Sequence, residues 1–176
     1  MRQFIGVTLV LAAALSLTVQ AADGRRGPKH FSAQLVSYQE VPALSSEAVG
    51  RIDVAIDDAA QTIAYRLSFD GLEGEVRQAH IHFAQRGVNG GIMLWLCGTA
   101  TNPGPSGTPV CPASGDVTGL LGPEGVVGPA GQGIPAGAFE EAAAAIRAGV
   151  AYANVHSAVF PGGEVRGQLR AGGGHR

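Results

Sequence analysis

The chain has 176 residues, with 12 Lys and Arg against 14 Asp and Glu and a formal net charge of −2. No Lys/Arg cluster is present to neutralise a run of phosphates, which excludes a nucleic-acid binder that works through its charge. Only 15% of the residues are charged and 27 are Gly, a balance that favours a turn-rich β protein over a helical one.

Residues 1–21 (MRQFIGVTLVLAAALSLTVQA) carry Arg2, an apolar run from Phe4 to Leu17, and Val19 and Ala21 at the −3 and −1 positions of a cleavage site. This pattern predicts a signal peptide whose apolar run is too short to span a bilayer. The mature protein is then exported, periplasmic or extracellular, with no membrane attachment after cleavage. Residues 22–29 (ADGRRGPK) read as a flexible lead-in, residues 30–170 as one domain, and 171–176 (AGGGHR) as a disordered tail that takes His175 with it.

Strand-like alternation begins at "HFSAQLVSY", with Phe31, Ala33 and Leu35 on one parity. "GRIDVAID" sets Ile52, Val54 and Ile56 against Arg51, Asp53 and Asp57. "QTIAYRLSFDGL" sets Ile63, Tyr65, Leu67 and Phe69 against Thr62, Arg66 and Ser68. The short "DDAAQ" between them suits a hairpin, and a period of two predicts antiparallel strands with one face buried and one wetted. "VRQAHIHFA" and the nearly all-apolar "GIMLWLC" continue the series.

Residues 98–133 form a long Gly/Pro-rich excursion in which "GDVTGLL" alone reads as a brief strand. Cys97 and Cys111 are the only cysteines and, in an oxidising compartment, predict one disulfide closing "GTATNPGPSGTPV". "AGAFEEAAAAIRAG" (136–149) predicts a helix, with Glu140 and Glu141 early, Arg147 late and Gly149 as a stop. "VAYANVHSA" and "GEVRGQLR" close the chain. About eight strands and one short helix indicate an all-β antiparallel β-sandwich.

Parity places His80 and His82 on one face of their strand, opposite Ile81 and Phe83. Tyr152, Asn154 and His156 share a face in the same way. The simplest assembly buries Ile81, Phe83, Val155, Val165 and Leu169 and turns the imidazoles to the wetted side. If the two strands are neighbours, same-face residues lie about 5 Å apart. Two readings stand side by side. The three imidazoles converge on copper or zinc, with Glu164 as a candidate fourth ligand or a water in its place. Alternatively each histidine hydrogen-bonds a neighbouring Asn, Glu or backbone carbonyl.

The blocks "FSAQLVSYQEVPALSSEAVGRIDVAID", "LSFDGLEGEVRQAHIHFAQRGVNGGIMLWL" and "IRAGVAYANVHSAVFPGGEVRGQL" resemble successive parts of the CHRD domain, first described in chordin. The resemblance runs from about Phe31 to Leu169. Its most specific pieces are Glu40-Val41-Pro42, Ala79-His80-Ile81-His82, Asn154-Val155-His156 and the run Gly163 to Leu169. Ser157 and Phe83 depart from it, where Thr and a small residue are usual. The resemblance implies an exported stand-alone domain of bacterial type, with a Greek-key sandwich similar to Cu/Zn superoxide dismutases. It also implies metal binding at the shared histidines.

Together these readings favour a non-enzymatic module that binds copper or zinc through His80, His82 and His156. A scaffold that meets a protein or polysaccharide through its polar face and the 98–133 loop is the alternative, with Glu164, Arg166, Glu40 and Arg66 as a structural network. A mononuclear copper redox enzyme stands third, because a dinuclear dismutase site needs more imidazoles and a carboxylate. Ser157 and His156 point to opposite faces and make no nucleophile–base pair. The sequence leaves the oligomeric state open.

Overall fold

The computed structural model describes residues 27–172. The signal peptide expected at 1–21, most of the 22–29 lead-in and the 173–176 end of the tail lie outside the described residues. The strands are β1 (Lys29–Val36), β2 (Val49–Asp57), β3 (Thr62–Asp70), β4 (Val76–Phe83), β5 (Gly91–Cys97), β6 (Gly115–Leu121), β7 (Ala151–Ser157), β8 (Val165–Gln168) and the short β9 (Arg170–Ala171). Among the described residues one α-helix, α1 (Phe139–Arg147), precedes β7.

All strand pairings are antiparallel, in the order β5-β4-β7-β8-β1-β2-β3-β6, with β9 added on β1. The edge strands β5 and β6 approach each other, and a bridge from Leu94 to Val126 helps the single sheet close nearly into a barrel. The all-β expectation holds, with nine strands. The chain crosses between the β1-β2-β3-β6 half, which also carries β9, and the β5-β4-β7-β8 half four times, after β3, β5, β6 and β8.

Local chemistry explains the β2–β3 hairpin. Asp57 Oδ1 accepts from the backbone N–H of Ala59 and of Ala60, each at 3.0 Å, and Gln61 takes the left-handed conformation at φ 49° that closes the turn. The alternating apolar residues Ile52, Val54, Ile56, Ile63, Leu67 and Phe69 are all buried, as their parity predicts. Each such side chain contributes roughly 1.5–3 kcal/mol by leaving water. Cys97 and Cys111 lie at disulfide distance, their Cα atoms 4.9 Å apart, and pin the start of the Gly/Pro-rich excursion to the end of β5.

On β4, β7 and β8 the structure departs from the sequence expectation. Ile81, Val155, Val165 and Leu169 are fully buried as expected, and Phe83 is half-buried. The opposite face is not wetted. Every residue of β7 and β8 is buried, including Tyr152, Asn154, His156, Arg166 and Gln168. Segments 37–48, 85–91 and 158–163 fold over that face through the contacts described below, so a polar layer is enclosed where alternation alone predicts solvent.

Candidate metal centre

Strands β4 and β7 are direct neighbours, with His80 opposite Asn154, His82 opposite Tyr152 and Gln78 opposite His156. Residues opposite one another share a face, so His80, His82 and His156 project from the same side of adjacent strands. One ligand atom from each lies within 4.8 Å of the others. His80 is wholly buried, His82 is 8% exposed and His156 is 6% exposed.

Backbone carbonyls fix two of the ring tautomers. His82 Nδ1–H donates to Gly90 O at 3.0 Å and His156 Nδ1–H donates to Pro161 O at 3.0 Å. Each ring then keeps a bare lone pair on Nε2. This is the arrangement in which an outer-shell carbonyl orients an imidazole and leaves its other nitrogen for a metal. His82 Nε2 is buried and has no protein partner, and neither has His80 Nε2. His80 Nδ1 lies 3.2 Å from His156 Nε2. Two nitrogens bound at about 2.0–2.1 Å around a tetrahedral zinc lie roughly 3.3 Å apart, so the spacing suits two ligands of one ion. The residues therefore fit a metal.

Burial sets the charge state. Desolvation lowers His80 to about 2, helped by His156 and His82. It lowers His82 to about 4, against the opposing hydrogen bond to Gly90 and with His156 adding to the fall. Desolvation also lowers His156, against its bond to Pro161. All three rings are neutral at pH 7, the form that ligates.

The enclosing layer is built around Arg166, which is 2% exposed. Its guanidinium stands 3.4 Å over the Tyr152 ring, and that ring stacks on His82 with centroids 4.8 Å apart. Arg166 Nη1 donates to Asn89 Oδ1 at 2.9 Å and Nη2 to Val88 O at 2.7 Å. Asn89 Nδ2 in turn donates to Val41 O at 3.0 Å, so one arginine ties two loops over the histidines. Glu40 is 7% exposed, and desolvation raises it to about 7 against the pull of Arg166, the Val41 backbone and Asn154.

Glu164 is wholly buried, with its Oε1 engaged elsewhere and its Oε2 without a hydrogen-bond partner. Its Oε1 accepts from Ser46 Oγ at 2.7 Å and from the Glu73 backbone N–H at 2.8 Å, and it is not in the three-histidine group. Arg66 is exposed and pairs with Asp116 at 2.9 Å, outside any network with Glu40 and Arg166. Sequence reasoning gave Tyr152 and Asn154 the correct face and no role. It missed Asn89 altogether, because a loop residue carries no periodicity.

The CHRD domain family model matches residues 31–169. No curated protein and no solved structure matches the chain.

Proposed function

The chain belongs to the CHRD domain family, and from that premise we propose that it is an exported, non-enzymatic module that binds copper or zinc through His80, His82 and His156. The observation that carries this reading is the convergence of three neutral imidazoles within 4.8 Å, with the Nε2 atom of His82 buried and unpartnered. An unpaired buried polar atom costs about 1–3 kcal/mol, and a bound ion removes that cost. Imidazole nitrogens suit zinc and copper, whereas calcium and magnesium prefer oxygen. Gly90 and Pro161 orient two of the ligands, and Arg166 and Tyr152 hold His82 in place. The cysteine pair at disulfide distance agrees with an oxidising compartment. Among the described residues no helix is long and apolar enough to cross a membrane.

The test is elemental analysis of protein purified without a histidine tag, followed by calorimetric titration with Cu(II) and Zn(II). Wild type takes up about one ion per chain and His82→Ala does not. Equal heats for wild type and variant overturn the reading.

A scaffold role has one observation in its favour. Trp95, Pro105–Thr108, Leu120, Leu121 and Glu124 line a cleft of about 240 Å3. Val110, in the 98–133 excursion, and Leu120, at the cleft wall, are 79% and 67% exposed. Capture of a protein or polysaccharide by wild type, lost on shortening the 98–110 loop, supports that role.

A further inference from the structure

We infer that the side-chain oxygen of Asn154 is the fourth ligand of the three-histidine site, oriented by Glu40. The inference rests on the metal reading above and names a donor in place of Glu164 or a water.

The argument begins from a contact that does not balance in the protein alone. His156 Nδ1–H donates to Pro161 O, so His156 Nε2 carries a lone pair. Asn154 Oδ1 sits 3.0 Å from that Nε2. Two acceptors therefore face each other, with His80 Nδ1 3.2 Å from the same nitrogen. Donation by His80 would satisfy Nε2 and leave Asn154 Oδ1 opposed.

The obvious repairs move the conflict without removing it. Turning the amide presents its NH2 to Nε2 but swings the oxygen to the Gly163 side, where the buried and unpartnered Glu40 Oε1 also lies. Shifting the ring proton to Nε2 sets a bare Nδ1 against Pro161 O. Protonating both nitrogens places a charge on a ring that is 6% exposed, at a large desolvation cost. A cation between His156 Nε2, Asn154 Oδ1 and His80 Nδ1 satisfies all three together. Zinc–nitrogen and zinc–oxygen bonds of about 2.0–2.2 Å give neighbouring ligands a spacing of roughly 3.3 Å, close to the two contacts observed.

Gly163 supplies independent support. At φ +124° it lies where a Cβ would come within 2.5 Å of Glu40 Oε1 and 2.6 Å of Asn154 Nδ2. Glu40 and Asn154 meet over this residue because it has no side chain. Glu40 Oε1 is buried and has no hydrogen-bond partner, so acceptor capacity stands directly behind the amide. A carboxylate there polarises Asn154 so that its oxygen becomes a better donor to an ion, and its charge offsets that of a divalent metal. The resulting set of three nitrogens and one oxygen suits Zn(II) and Cu(II).

The test titrates full-length mature protein with Zn(II) while following the side-chain amide signals by 15N NMR, and compares Zn(II) affinities of wild type, Asn154→Ala and Asn154→Asp. The Asn154 amide signal is expected to shift in step with site filling. Asn154→Ala should bind at least about ten-fold more weakly, and Asn154→Asp, which keeps one oxygen for the ion but sets a second against Glu40, should bind more tightly than Asn154→Ala. A folded Asn154→Ala that binds Zn(II) like wild type overturns the inference while leaving the three-histidine reading intact. If that variant does not fold, an unmoved Asn154 amide signal in fully loaded wild type has the same consequence. Wild type that takes up no metal removes both, and the unchanged histidine signals identify that case.

Discussion

His80 Nδ1 and His156 Nε2 lie 3.2 Å apart although 76 residues separate them in the chain. The β4–β7 register brings them together by setting Asn154 opposite His80 and Gln78 opposite His156. Two strands with consecutive buried residues form a rigid platform, so the three imidazoles are gathered without an ion. Metal should therefore stabilise the folded chain by mass action, by about 2.7 kcal/mol at a free concentration one hundred times the dissociation constant. Thermal melts with and without Zn(II) should show this rise in wild type and none in a His80→Gln/His82→Gln variant.

The same burial sets a pH dependence. The three histidines are lowered in the fold, so below their ordinary value of 6.5 the unfolded chain holds more protons than the native one. Stability present above that value is lost as pH falls, progressively toward the folded value of about 4 for His82. Glu40 has the opposite sign. Raised from 4.5 to about 7, it contributes stability that is full below 4.5 and lost as pH rises through about 7. Each unmatched proton changes stability by about 1.4 kcal/mol per pH unit, and three histidines outweigh one carboxyl. Urea midpoints of metal-free wild type should fall between pH 6.5 and 4.5. Glu40→Gln should steepen that fall, and replacing the histidines with glutamine should flatten it.

Arg166 links the polar layer to its covering loops through Asn89, Val88 and the Tyr152 ring. Removing one member of a buried charged network leaves the others unpaired, at about 3–5 kcal/mol. Arg166→Ala should cost this much in chemical denaturation and speed hydrogen exchange in residues 85–91. Arg166→Lys should recover only part, because an ammonium cannot make the same fork and lie flat on the ring.

Gly163→Ala should destabilise by roughly 2–4 kcal/mol, combining a left-handed conformation with overpacking. The added Cβ meets Glu40 Oε1 and Asn154 Nδ2 at φ +124°. Gly162→Ala next to it meets nothing within 4 Å and should cost far less. Equal losses for the two variants in denaturant titrations would count against the close approach described here.

Closing the 97–111 loop, with a sequence separation of 14, should contribute about 3 kcal/mol in the chain-entropy model. A Cys97→Ala/Cys111→Ala variant measured against oxidised wild type checks that value. Its metal affinity should be unchanged, because neither cysteine belongs to the histidine group.

Much of the fold was legible because its signals are local. Alternation in residues 50–69 located β2 and β3, "DDAAQ" located their turn, and the acid-to-base gradient located α1 within three residues at either end. The shared face of His80, His82 and His156 followed from parity alone, since a pleated strand repeats every two residues. Depth did not follow. Alternation cannot distinguish a face open to water from one that distant loops cover, and the covering here comes from segments 37–48, 85–91 and 158–163.

The sequence by itself determined an all-β chain, the residues that share each strand face, the cysteine pairing and the family. Tertiary structure decided that β4 and β7 are neighbours, that the histidine face is buried, and that Asn154 and Glu40 stand behind it while Glu164 is held by Ser46 and the Glu73 backbone. The division has a physical cause. Side-chain direction along a strand is fixed by covalent geometry, whereas desolvation and hydrogen-bond partners depend on residues tens of positions away that only chain closure brings together.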